Sequence, residues 1–151
     1  VHGFAGAGTN FNRLPEEFAK AGSYVRVMRL PGHGTSPYDL EKVTTDELEG
    51  AVVAAASELK EKYARVVLIG HSMGAATTML AAGAKNRLGL DTRIAFDAYI
   101  AMSPQGVGRI FPNHAWSSIT APVYSLTGTE DRELDSDWRS RLTLPVDAVW
   151  L

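Results

Sequence analysis

The chain has 151 residues, 45% of them hydrophobic and 21% charged, and carries a formal net charge of −2. That is enough for one domain with a sizeable core, and nothing in the charge suggests a nucleic-acid surface or a basic membrane patch. The absence of cysteine excludes disulfides, thiolate metal sites and a cysteine nucleophile.

Val1-His2-Gly3-Phe4 reads as the end of a strand running into a Gly-rich loop, Gly3 to Gly8. Phe11, Leu14, Phe18 and Ala21 then fall at helical spacing, with Gly22 as the stop and Pro15 acceptable only near the first turn. Tyr24 to Leu30 alternates apolar and basic residues and predicts a strand. Pro31 to Pro37 is a loop. Thr44 and Glu47 form a capping box that opens a helix running to about Lys62.

Val66-Val67-Leu68-Ile69 is a short apolar run, as expected of a strand covered on both faces. It leads into Gly70-His71-Ser72-Met73-Gly74 and then a helix rich in small residues, predicted to end near Asn86 to Gly89. A Gly-x-Ser-x-Gly sequence between strand and helix places its serine on a sharp, strained corner with Oγ exposed. The amino end of the following helix favours negative charge developing beside that oxygen. Ala98 to Met102 and Val123 to Leu126 predict two further strands, separated by an irregular stretch from Ser103 to Thr120. A polar turn, Thr127 to Asp131, follows; a short helix from about Asp135 to Leu142 leads to a last strand near Ala148.

Strands alternating with helices predict an α/β fold: a mostly parallel sheet with helices on both faces, in three αβα layers. In such sheets the working site lies beyond the carboxyl ends of the strands. Phe4, Ser72, Ser103 and Asp131 all fall at such ends. The whole of 1–151 reads as a single domain, a core segment incomplete at both ends, because it opens at a strand end and closes inside a strand.

Four blocks together resemble the α/β-hydrolase superfamily, nearest its esterases and lipases of the carboxylesterase and monoglyceride-lipase kind: His2-Gly3-Phe4, Leu30-Pro31-Gly32-His33-Gly34, Gly70 to Gly74, and Leu126 to Asp131. They span nearly the whole chain in the family's order. The resemblance implies Ser72 as nucleophile, the backbone N–H groups of Phe4 and Met73 as oxyanion hole, and Asp131 as the acid of a triad. Glu130 and, more weakly, Asp135 are the alternatives for the acid. A serine hydroxyl needs a base, and a tetrahedral oxyanion needs preorganised donors, so the set is chemically coherent.

The family's histidine would stand on the loop after the strand that begins near Ala148, and none of the four histidines fills that place. His2 is expected to brace the oxyanion loop, His33 to be structural in its Pro-Gly turn, and His71 to face away from Oγ. His114 is the low-ranking candidate base. The segment alone is therefore expected to be a poor catalyst. Many relatives carry a helical lid between the strands ending at Met102 and starting at Val123; here the connection is too short for one, which predicts an open cleft that Ile110, Phe111 and Trp116 either line or leave to join the core.

The implied activity is cleavage of a small-molecule ester or lipid-like substrate. A thioesterase, acyltransferase or peptidase on the same scaffold, or a non-catalytic binding module, are the alternatives. No cofactor, metal or nucleic acid is implied, and no membrane-spanning segment or signal peptide is visible. That favours the cytoplasm, although the start at Val1 leaves room for a processed or missing N-terminus. The oligomeric state is not legible.

Overall fold

The computed structural model describes residues 1–91 and 95–128. Their elements are α1 (Leu14–Lys20), α2 (Pro37–Glu41), α3 (Thr45–Lys62), β1 (Val67–His71), α4 (Met73–Ala81), β2 (Ala98–Met102) and β3 (Val123–Leu126), with short 3-10 turns at Gly8–Phe11 and Ala115–Ser118. The expected acid at Asp131, its alternatives Glu130 and Asp135, the helix from about Asp135 and the last strand lie outside the described residues.

The three strands form a parallel sheet in the order β1-β2-β3. Register aligns Leu68 with Tyr99 and Val123, and Gly70 with Ala101 and Ser125. Because side chains alternate along a strand, these six share one face. All six are buried, and α4 packs across β1 and β2 on that side. Met79 of α4 joins the same core, as do Phe111 and Trp116, whose ring centroids lie 4.8 Å apart. Of the two alternatives for Phe111 and Trp116, the fold takes the core. Ile110 is partly buried against that core.

The helix after the serine is shorter than its sequence suggests. Gly83 has φ +100°, its N–H donates to Leu80 O, and the Ala84 N–H donates to Met79 O. That pair of bonds with a left-handed glycine between them closes a helix, so α4 stops five residues before Asn86 would allow. One short helix, α2, was not anticipated. Its signal is nonetheless present: Ser36 caps it by accepting from the Tyr38 N–H, Pro37 opens it, and Asp39 returns a carboxylate to the Ser36 N–H. The Thr44 capping box on α3 forms as expected.

The largest departure is at residues 24–30, which form no strand. A strand exists only where a neighbour completes its ladder. Here the side chains tie the segment to α3 instead of to the sheet. Tyr24 stacks on Tyr63 with ring centroids 5.2 Å apart, and Arg26 pairs with Glu58. A cavity of about 710 Å³ separates Val25 and Val27 from Ile69 and Ile100 of the sheet, with Leu14 and Phe18 of α1 and Leu59 of α3 on its walls. Among the described residues, the connection between β2 and β3 holds only the Ala115–Ser118 turn and no helical lid, and no helix is long and apolar enough to cross a membrane.

Candidate active site

The site is built where β1 turns into α4. Ser72 has φ 56° and ψ −119°, a conformation that L side chains rarely adopt. A residue held there costs on the order of 1–3 kcal/mol and persists only when its surroundings fix it. They do so through both ends of its backbone. The Ser72 N–H donates to Met102 O of β2 at 2.9 Å, and the Ser72 carbonyl accepts from the Ala75 and Ala76 N–H groups. The corner is therefore clamped between the sheet ladder and the first turn of α4.

Two glycines make that corner sterically possible. A Cβ on Gly70 would stand 2.1 Å from Gly74 O and 2.3 Å from Thr78 Oγ1. On Gly74 it would stand 2.2 Å from Val1 O and 2.7 Å from His2 O. Both neighbours include backbone, which cannot swing aside.

The second contact brings the first residues of the chain to the serine. The Val1 amino group donates to Ile69 O at 2.6 Å, and the His71 N–H donates to Val1 O at 3.1 Å. This alternation is that of a parallel ladder, so Val1 extends the sheet on the free side of β1. Gly3 then lies against the Ser72 corner: a Cβ there would be 3.1 Å from Ser72 Cβ and 3.5 Å from Ser72 Oγ.

The His2 ring is buried and its tautomer is determined by its partners. The Leu30 N–H donates to Nε2 at 3.1 Å, so the neutral ring carries its proton on Nδ1, which lies 2.9 Å from Gly3 O. Gly3 O also accepts from the Gly6 N–H. In a trans peptide the N–H points opposite the carbonyl, and there is no cis peptide here. Hence the Phe4 N–H is aimed away from the His2 ring and the Gly6 turn. Neither the Phe4 nor the Met73 N–H donates to a protein acceptor among the described residues. Their side chains are exposed, Phe4 at 65% and Met73 at 41%.

His33 is also buried. Its Nδ1 lies 2.9 Å from Pro31 O, its ring meets His2 at 4.7 Å between centroids, and its Nε2 has no partner among the described residues. His71 packs on Phe11, with centroids 6.4 Å apart. His114 sits on an exposed left-handed turn at the start of the 3-10 helix, where its carbonyl accepts from Ser117 Oγ. The meeting of His2 with His33 was not legible in the sequence, because it joins two loops far apart in the chain.

Burial holds the His2 imidazole below its ordinary value, with the bond to Gly3 O opposing and the nearby His33 and Val1 amino group adding to the depression. An unfolded histidine takes up its proton near pH 6.5. The folded ring resists, so the unfolded chain binds more protons as pH falls below that point. The stability that depends on a neutral His2 is therefore full above about pH 6.5 and is lost as pH falls toward the lower folded value. Denaturant midpoints measured between pH 8 and pH 5 should decline over this window. His2→Asn, which can still donate to Gly3 O, should flatten the decline.

A parallel α/β sheet with a strained serine on a tight strand-to-helix corner, at the carboxyl end of the strand, defines an α/β fold with its candidate site at that edge. A model of the alpha/beta hydrolase family matches residues 1–151, and the chain belongs to that family. A thermostable monoacylglycerol lipase from Bacillus sp. (strain H-257) is 37% identical over 79 residues, which are 52% of this chain and 32% of that protein. The matched stretch thus spans about a third of the length of that curated relative. Among solved structures, the fold is similar to the metagenome-derived lipolytic enzymes LipS and LipT, with TM-score 0.77 and 20% identity over 99% of this chain and 80% of the other. It is also similar to a monoacylglycerol lipase from Paleococcus ferrophilus, with TM-score 0.73 and 18% identity over 100% and 82%.

Proposed function

We propose that this chain carries the nucleophile, oxyanion donors and acid of a serine hydrolase that cleaves carboxylic esters, with Ser72 as nucleophile, the Phe4 and Met73 N–H groups as oxyanion hole, and Asp131 as the acid. The observation that carries the reading is the strained φ of Ser72, held by two strands and a helix, with Gly3 pressed against it. Strain of this kind is maintained at functional corners. The names of the relatives, monoacylglycerol lipase above all, support a lipid-like ester as substrate.

In this reading Ser72 Oγ attacks the ester carbonyl while a base takes its proton. The carbonyl oxygen becomes an oxyanion and is held by the two backbone donors. Collapse breaks the ester bond, the base returns the proton to the leaving alcohol, and water then hydrolyses the acyl-serine. The base is the role with two candidates. His2 and His33 are committed to backbone partners and His71 to Phe11, which leaves His114 within this chain. The other candidate is a histidine downstream of Leu151, where the family places it.

The test has two parts. A fluorophosphonate probe should label Ser72, and p-nitrophenyl butyrate should be hydrolysed by a form extended past Leu151. In that form Asp131→Asn should lower kcat by roughly 10⁴-fold if Asp131 orients the base. An unchanged kcat would move the acid to Glu130 or Asp135. Loss of activity on His114→Ala would assign the base to His114, and no activity in either form would leave a binding module.

A further inference from the structure

We propose that His33 is a positioning residue for the oxyanion donor at Phe4 and that it acts through His2. The inference rests on the oxyanion hole proposed above and extends it to a residue that touches neither substrate nor serine. The path is continuous. His33 packs edge-on against His2, the His2 ring fixes the Gly3 carbonyl, and the Gly3–Phe4 peptide then fixes the direction of the Phe4 N–H.

Leu30 joins the two rings through its backbone. Its N–H donates to His2 Nε2, and its carbonyl accepts from the His33 N–H at 3.1 Å. The turn carrying His33 is itself seated firmly. Gly32 has φ +68°, and a Cβ there would stand 2.9 Å from the Leu40 Cα and 2.6 Å from Val43 Cγ2. The loop from Pro31 to Gly34 is thus a wall, fixed by α2 and the turn after it, against which the His2 ring is set.

The role of His33 lies in its ring and not in its nitrogens. Its Nδ1 lies on Pro31 O, which can only accept, so Nδ1 carries the proton and Nε2 is a bare acceptor. That acceptor is buried and unpaired among the described residues, which costs a folded protein stability. A phenyl ring would occupy similar space without the cost. What the ring at 33 supplies is a flat wall for His2. If His2 turned about its side-chain bonds, it would lose both the Leu30 and Gly3 bonds, and the Gly3 carbonyl would keep only its bond from the Gly6 N–H, so the Gly3–Phe4 peptide would be held less firmly. A displaced peptide withdraws one donor from the oxyanion.

A misaimed donor weakens the transition state more than the bound ester, so kcat should fall and KM should hold. Removing a donor outright costs about 10²–10³-fold; His33→Ala, which only loosens one, is expected to lower kcat by roughly tenfold to a hundredfold with KM within about twofold. His33→Phe restores the wall and should recover kcat to within about threefold of the parent. The second readout is the ¹⁵N–¹H shift of the Phe4 amide, which needs no turnover. It should move in His33→Ala and return in His33→Phe. Should His33→Ala fail to fold, His33→Phe and His33→Asn replace it. Asn keeps the bond to Pro31 O but lacks the wall, so it should behave as Ala does and Phe as the parent.

An unmoved Phe4 amide in His33→Ala or His33→Asn would overturn the inference, as would equal effects on kcat and KM. If Ser72 is not labelled by a fluorophosphonate while the Phe4 amide still moves, the positioning stands and the hydrolase reading falls. If Ser72 is labelled and the amide does not move, the reverse holds.

Discussion

Ser72→Ala is expected to abolish fluorophosphonate labelling and, in the catalytically competent protein, to lower ester turnover by about three to six orders of magnitude. Removing the nucleophile of a serine hydrolase leaves only oxyanion and binding contributions, so the loss is of that order. Fold should survive, because the corner is held by backbone bonds from Met102, Ala75 and Ala76 rather than by Oγ. Ser72→Gly sharpens the test. At φ 56° a glycine meets no Cβ penalty, so this variant should match or exceed the parent in denaturant midpoint, by up to about 1 kcal/mol, while it is inactive. Activity retained in Ser72→Ala would remove the serine from the chemistry. A large fall in stability on Ser72→Gly would show that the strain is not real.

Gly70→Ala is the second large effect, and here stability should collapse before activity is considered. The added methyl would lie 2.1 Å from Gly74 O, 2.3 Å from Thr78 Oγ1 and 2.4 Å from the Gly74 carbonyl carbon. No rotamer relieves a clash with backbone, so α4 would have to leave β1. Overpacking of this kind typically costs about 1–3 kcal/mol and more when the backbone must move, so a loss of about 3 kcal/mol or more is expected, about 10 °C in Tm for a chain of this size. Gly50→Ala provides the contrast. Gly50 lies inside α3 with nothing within 4 Å of its would-be Cβ, so that substitution should stabilise by about 0.5–1 kcal/mol. Thermal unfolding of the two variants side by side measures the difference. Equal Tm values would mean that the corner is not packed as described.

How much of this was readable from residues alone differs by element. The strands Ala98–Met102 and Val123–Leu126 were placed residue for residue, and β1 to within a residue or two. Each is a short apolar run whose burial in a parallel sheet reinforces its own propensity. The α3 cap was legible because Thr44 and Glu47 satisfy each other locally. Tyr24 to Leu30 also carries a strand pattern, with Val25 and Val27 alternating with Arg26, yet forms no strand. Its pattern describes what it could pair with, and pairing is decided elsewhere, by Tyr63 and Glu58 holding it to α3. The end of α4 was misjudged because Ala82 and Ala84 continue the helical composition through Gly83, whose φ of +100° stops it.

At the site, the Gly-x-Ser-x-Gly pattern announced the corner and its need for glycine at both positions, where a Cβ would collide with neighbouring backbone, but not which backbone each glycine meets. Gly70, at the end of β1, is fixed by the helix that follows it, α4, and Gly74 by the carbonyls of Val1 and His2. The first of these is local and the second spans most of the chain. His2 was rightly expected to brace its loop, whereas its partners Leu30 and His33 belong to contacts that no local pattern encodes.

The bond from Val1 to Ile69 closes a loop of 68 residues. Closing so long a span costs more chain entropy than joining neighbouring strands, and contacts of this kind form late when a chain refolds. The three-stranded sheet and its helix can assemble around the serine before the first residues of the chain arrive. Through refolding, then, the Ser72 corner should exist for a time before Gly3 is seated against it. Native sheet signal should return ahead of hydrogen-exchange protection of the His71 N–H, which donates to Val1 O, and the interval between them is the time residues 1–3 take to find the edge of β1.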